Sequence, residues 1–303
     1  MIHPMSKTRN VGLEIVLRVI YLVLLAATIL PAAAGRPISV FVSILPQKYF
    51  VERVGGKRIK VNVMVLPGHS PATYEPTPRQ LLRLSDARAY FRIGVPFEES
   101  WIERIRAANP RMNIIDTSGG IGLLHPQRSG LALDASHLGH DKDPHSWTSP
   151  PVVGIQSQQI RDALVELDPA NKREYEANHR RFAQALKELD QYIRNRLRDI
   201  DRRSFLVFHP SWGYYAQTYG LRQISIEKQG KVPGAKQLTE IIDLARSEGI
   251  KVIFIQRQFS RETAESIARA IGAKMITVDP LAENYIDNLK HVTDTFAQAM
   301  CSQ

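Results

Sequence analysis

From residue 37 onward, short apolar runs and longer amphipathic stretches take turns along the chain. PISVFVSI (37–44) reads as a strand, LPQKYFVERVGG (45–56) as a helix closing on glycines, and KVNVMVL (60–66) as a second strand. The beat continues with a short helix at TPRQLLRLSDA, a strand at AYFRIGV, a helix opened by Pro96, a strand at NIIDTS, and a helix over residues 151–167. Alternation of this kind predicts a parallel sheet wound with helices on both faces, whose ligand sites lie at the C-terminal ends of the strands.

Next comes a longer pattern. Tyr175, His179, Phe182, Leu186, Leu189, Ile193, Leu197 and Ile200 recur in steps of three and four, one stripe on one helix face. The spacing predicts a single helix from Pro169 to Ile200, about 48 Å long at the usual rise per residue. Behind it the strand and helix beat resumes: FLVF, a helix over 212–219, QISIE, a helix over 235–247, KVIFIQ, a helix over 261–271, KMITV, and a last helix over 284–300. The long helix is therefore read as a rigid spine (169–203) joining an N-terminal α/β lobe (35–168) to a C-terminal α/β lobe (204–303). A coiled-coil dimer seam is the alternative, but the pattern lasts under four heptads and includes a histidine. The chain is expected to act as a monomer.

The first 34 residues stand apart. Lys7, Arg9 and Arg18 precede the apolar run VIYLVLLAATIL, which ends at Pro31 and Ala32-Ala33-Ala34. That is the pattern of a secretory signal peptide, since about 12 apolar residues fall short of the roughly 20 needed to span a bilayer. The only cysteine, Cys301, lies far from the expected cleavage site, so no lipobox is read there, and one cysteine excludes an internal disulfide. A free periplasmic protein is expected. Removing residues 1–34 leaves 37 basic against 29 acidic residues, a net charge of +8. Much of the excess lies on the spine, at Arg180-Arg181, Arg194, Arg196 and Arg198, as a solvated face rather than an aromatic-interleaved nucleic-acid surface. No G-x-G-x-x-G or Walker-type loop follows a strand, which leaves nucleotide binding without support.

Histidines collect where strands end. The proline-rich loop Pro67 to Pro78 carries His69. The loop before the 151–167 helix carries His125, His137, His140 and then Asp143-Pro144-His145-Ser146-Trp147. In the second lobe His209 ends the first strand, and Asp279 ends the last. Three imidazoles and one carboxylate, drawn from both lobes, suit Zn²⁺ in four-fold coordination, with Mn²⁺ or Fe²⁺ less favoured. The candidate metal ligands are His69, His145, His209 and Asp279.

Together with SILPQKYFVERVGG, PGHSPATYEPTPRQ, DPHSWTSP, FHPSWGYYAQTYGL, IEKQGKVPGAKQL, IQRQFSRETAESIARAIG and VDPL, these residues resemble a ZnuA/TroA-type metal-binding solute-binding protein of an ABC transporter. The resemblance covers essentially the whole chain after the leader. It implies two pseudo-symmetric lobes, one metal ion between them, a membrane permease as partner, and His145, His209 and Asp279 as ligands. The sequence departs from the family at the first ligand. The family usually has a histidine directly after Ser-Pro, where this chain has Ala72, and the loop's histidine comes three residues earlier, at His69. Either His69 reaches the metal, or water or Glu75 fills that position. The other functional class is a secreted zinc hydrolase with Glu75 or Glu227 as general base, but no H-E-x-x-H motif is present.

Overall fold

The structure, a computed structural model, describes residues 36–119, 121, 143–227, 231, 233–259 and 261–301. The first half of the chain supplies β1 (Ile38–Val42), β2 (Ile59–Val63), β3 (Ala89–Arg92) and β4 (Asn113–Asp116), all parallel in the order β2-β1-β3-β4. The second half supplies β5 (Ser204–Val207), β6 (Arg222–Ser225), β7 (Val252–Ile255) and β8 (Lys274–Thr277) in the order β6-β5-β7-β8. The second sheet repeats the winding of the first. In each, the order reverses beside the first strand, where the loops at the strands' C-terminal ends diverge and open a crevice.

The connecting helices are α1 (Leu45–Gly55), α2 (Pro78–Leu84), α3 (Pro96–Ala108), α4 (Pro150–Leu167), α5 (Lys172–Arg196), α6 (Gly213–Thr218), α7 (Ala235–Ser247), α8 (Arg261–Ile271) and α9 (Tyr285–Met300). Proline at the first turn of α1, α2, α3 and α4 costs no hydrogen bond, because the N–H it lacks has no partner inside a helix.

The spine is shorter than its sequence pattern predicts. Pro169–Asn171 form a separate 3₁₀ turn, and α5 runs for 25 residues, about 37 Å. The break is local chemistry: the Asp168 carboxylate accepts from the Asn171 side chain at 2.7 Å and from the Tyr175 hydroxyl at 2.8 Å, tying the chain into a turn before the helix starts. The buried stripe also differs by one residue. Asn178, not His179, faces inward, and its amide donates to the Val54 carbonyl at 2.9 Å. That carbonyl lies in the last turn of α1, where no intrahelical donor is available. His179 is half-buried, and burial with the nearby Arg161 lowers its pKa below the usual imidazole value.

The spine packs against α1, α4 and α9. Phe182 meets Tyr49 and Phe50 of α1, each with ring centroids 6.0 Å apart. One continuous core holds Val40 and Val42 of the first sheet, Phe182, Leu186 and Leu189 of the spine, and Phe205, Val207 and Phe296 of the second lobe. Residues Pro37–Gln303 accordingly form one compact unit. A second core covers the far face of the second sheet, where Leu206 and Phe208 join Ile224, Ile253 and Ile267. The split follows the alternation of successive side chains along β5.

The proline-rich loop is anchored at its far end. Thr77 and Gln80 form a reciprocal cap on α2, with Gln80 N–H donating to Thr77 Oγ1 at 3.3 Å and Thr77 N–H donating to Gln80 Oε1 at 3.0 Å. Gln80 also accepts from the Tyr74 hydroxyl at 2.9 Å and donates to the Met64 carbonyl at 2.6 Å. Thr77→Ala is expected to lower stability by about 1 kcal/mol, the ordinary cost of losing such a cap. Urea unfolding of the variant against the parent measures it.

Candidate metal centre

His209 leaves the second sheet directly after β5. Phe208 N–H still pairs with the Phe254 carbonyl at 2.9 Å, and Gln256, at the end of β7, donates to the His209 carbonyl at 3.1 Å. The ring is held from two more directions. Phe259 stacks on it with centroids 4.6 Å apart and planes 18° apart, and Glu227 Oε2 lies 2.9 Å from Nδ1. Glu227 is in place because its own N–H donates to the Phe208 carbonyl at 2.8 Å, carrying the β5/β6 pairing one step past the strands. It is buried, and so is Asp143.

His145 is held in the same way. Asp143 Oδ1 accepts from the His145 N–H at 2.9 Å and lies 2.7 Å from its Nδ1. Asp143 rests against Gly213 at the start of α6, where a Cβ would collide with the carboxylate. Glycine at that position is a close-approach requirement, and its absence of a side chain leaves Asp143 free to hold the imidazole.

These contacts assign the tautomers. An ionised carboxylate can only accept, so the proton on each ring sits on Nδ1, and each Nε2 presents a lone pair. The two Nε2 atoms face one another 3.4 Å apart, with ring centroids 5.2 Å apart. Two lone pairs aimed at each other repel unless a cation stands near both, and neutral imidazole is the ligand form that Zn²⁺ requires. Burial lowers the pKa of His209, while its bond to Glu227 works in the opposite direction. The lowered value keeps the lone pair available to lower pH.

The structure thus brings His145 and His209 together. Asp279 is half-buried just past β8, its Oδ1 accepting from Leu281 N–H at 2.8 Å and its carbonyl accepting from Asn288 at 2.7 Å. His69 follows a turn in which its N–H reaches the Leu66 carbonyl at 3.1 Å and Gly68 has φ +84°, a conformation that favours glycine. Its side chain is exposed and meets Tyr74 edge to face at 5.6 Å. Glu75 and Ala72 are exposed as well. Among the described residues no group of three or more His, Cys, Asp and Glu side chains is arranged to hold a metal ion. His125, His137 and His140 lie outside the described residues.

Glu227 enters the sequence reading only as the general base that the hydrolase alternative would need. Its carboxylate is committed to His209 Nδ1, which is an orienting position. Asp143 and Phe259 were not recognised as partners of the two histidines. An acid two residues before His145 was visible in the sequence, whereas the stacking of Phe259, fifty residues beyond His209, had no local signal.

The family described as ZnuA, zinc-uptake complex component A periplasmic, matches residues 40–299. The high-affinity zinc uptake system protein ZnuA of Bacillus subtilis is 25% identical over 283 residues, covering 88% of each chain. The manganese-binding lipoprotein MntA of Halalkalibacterium halodurans is 26% identical over 265 residues, covering 82% of this chain and 84% of that protein. Among solved structures, a ZnuA deletion mutant with zinc bound superposes with a TM-score of 0.82 at 41% identity, covering 88% of this chain and 99% of that one.

Proposed function

This chain belongs to the periplasmic zinc-uptake component A family, and from that premise we propose that it captures Zn²⁺ outside the cytoplasm and delivers it to the membrane permease of an ABC transporter. The observation that carries the reading is the pair of buried carboxylates that fix two imidazoles with their Nε2 lone pairs converging. In this proposal His145 and His209 are two ligands, Asp279 a third and His69 the fourth. The metal is cargo, so the site binds and releases and performs no reaction, as befits a transport family rather than a hydrolase. Export through the leader at residues 1–34 is part of the proposal and lies outside the described residues. Among the described residues no helix is long and apolar enough to cross a membrane.

Elemental analysis of protein purified without added metal, followed by competition between Zn²⁺ and Mn²⁺, tests the reading. One zinc per chain and preference for Zn²⁺ are expected. Preference for Mn²⁺ would move the chain to the manganese-binding reading that the MntA likeness favours.

Two variants probe the less direct assignments. Glu227→Gln keeps the shape beside His209 but replaces the anionic acceptor, and a loss of about 10 to 100-fold in zinc affinity is expected, the usual effect of removing a ligand's orienting partner. Unchanged affinity in a calorimetric titration would remove that role. His69→Ala is expected to weaken binding by about tenfold or more, near 1.4 kcal/mol, with partial recovery when Ala72→His is added. If His69→Ala binds as the parent does, the fourth position belongs to water or Glu75.

A further inference from the structure

The two halves of the candidate centre are joined by one hydrogen bond that the family assignment does not explain. Trp147 lies two residues after His145, in the 3₁₀ turn Ser146–Thr148, and is fully buried. Its indole Nε1–H donates to the Pro280 carbonyl at 2.7 Å, across 133 residues of sequence and from the first lobe to the second. Pro280 directly follows Asp279. The same indole lies against the His145 ring, with centroids 5.1 Å apart and planes at 57°. One rigid side chain therefore touches a histidine of the first lobe and holds the backbone that carries the acid of the second.

Both ends of this strut are fixed. On the first lobe, Thr148 N–H and Oγ1 both donate to the His145 carbonyl, at 3.2 and 2.9 Å, and Gln156 donates to Ser146 Oγ at 3.0 Å. On the second, Leu281 N–H and the Asn288 side chain hold the two sides of Asp279. Lys48 of α1 and Glu283, three residues past Pro280, form an ion pair between the same two lobes, with both side chains partly exposed. Trp147 is the buried member of this bridge, and buried hydrogen bonds have the fixed geometry that exposed ion pairs lack.

We propose that Trp147 is a positioning residue for metal selection: its indole N–H sets the spacing between the His145 and Asp279 loops, and so favours a small four-coordinate cation over a larger one. The physical basis is that Zn²⁺ takes four ligands at short distances, whereas Mn²⁺ favours oxygen-rich sites of higher coordination. A fixed span between an imidazole and a carboxylate discriminates between them, and a slack one does not. The inference rests on the ligand assignment above.

The test replaces the N–H while keeping the ring. Trp147→Phe and, as a closer isostere, benzothienylalanine at position 147 are compared with the parent for Zn²⁺ and Mn²⁺ affinity, zinc dissociation rate and apo-protein melting. At least about tenfold faster zinc release and at least about fivefold loss in the Zn²⁺ to Mn²⁺ affinity ratio are expected in both variants. A merely structural role lowers the melting temperature and leaves the ratio unchanged, which overturns the proposal. If Trp147→Phe does not fold, the isostere alone decides. His145→Ala and His209→Ala run alongside: if they bind zinc as the parent does, the ligand assignment itself fails, and if they lose binding while both Trp147 variants keep the parental ratio, only the strut is wrong.

Discussion

His209→Ala and His145→Ala are each expected to lose about 1,000-fold or more in zinc affinity, about 4 kcal/mol, while the chain stays folded. The size follows from the way the two rings are mounted. Each has its Nδ1 proton committed to a buried carboxylate, so no rotation is needed before Nε2 can bind, and the binding free energy is not spent on ordering the ligands. Removing either ring takes away a preorganised donor; His209→Ala also leaves the buried Glu227 without its imidazole partner, whereas Asp143 in His145→Ala keeps the backbone N–H of residue 145. The fold survives because both histidines sit past strand ends, outside the apolar cores. Calorimetric titration with zinc, alongside circular dichroism of each variant, measures both halves of this expectation. Parental affinity in either variant would falsify the ligand assignment.

Zinc affinity is expected to hold between about pH 8 and 7 and to fall steeply below about pH 6. Each ligating imidazole must be neutral, so each protonated ring costs up to about tenfold per pH unit, and two rings approach about a hundredfold per unit. The sign at His209 is set by burial, which disfavours the charged ring and lowers its pKa against the opposing pull of Glu227. Protons therefore compete for His209 only below the usual imidazole range, so its share of the loss appears only there. Glu227→Gln removes the negative charge that favours the protonated ring, so the variant's curve should steepen at still lower pH even though its affinity at neutral pH is reduced. A curve that stays flat from pH 8 to 5 would argue against a site built on two imidazoles.

Much of this protein is determined by local sequence. Strands four or five residues long alternate with amphipathic helices because β-branched and aromatic runs are bounded by proline, glycine and capping residues, and those signals act within a few positions. The two parallel-sheet lobes were legible on that basis, while His145, His209 and Asp279 entered as candidates only through their places at strand ends and through motifs that resemble a known family. The spine's start was not legible, because the Asp168 to Tyr175 hydrogen bond that holds the preceding turn competes with a helical pattern that continues through it. Nor was the inward turn of Asn178, which depends on a carbonyl of α1 124 residues away in sequence. The partners of the two histidines were decided the same way. Glu227 reaches His209 only because β6 pairs with β5, Phe259 stacks because β7 lies on the other side, and Trp147 meets Pro280 because two lobes share one core. Periodicity fixes which face of an element is buried. It carries no information about which distant backbone atom that face will meet, and the protonation, orientation and spacing of the candidate ligands depend on those distant atoms.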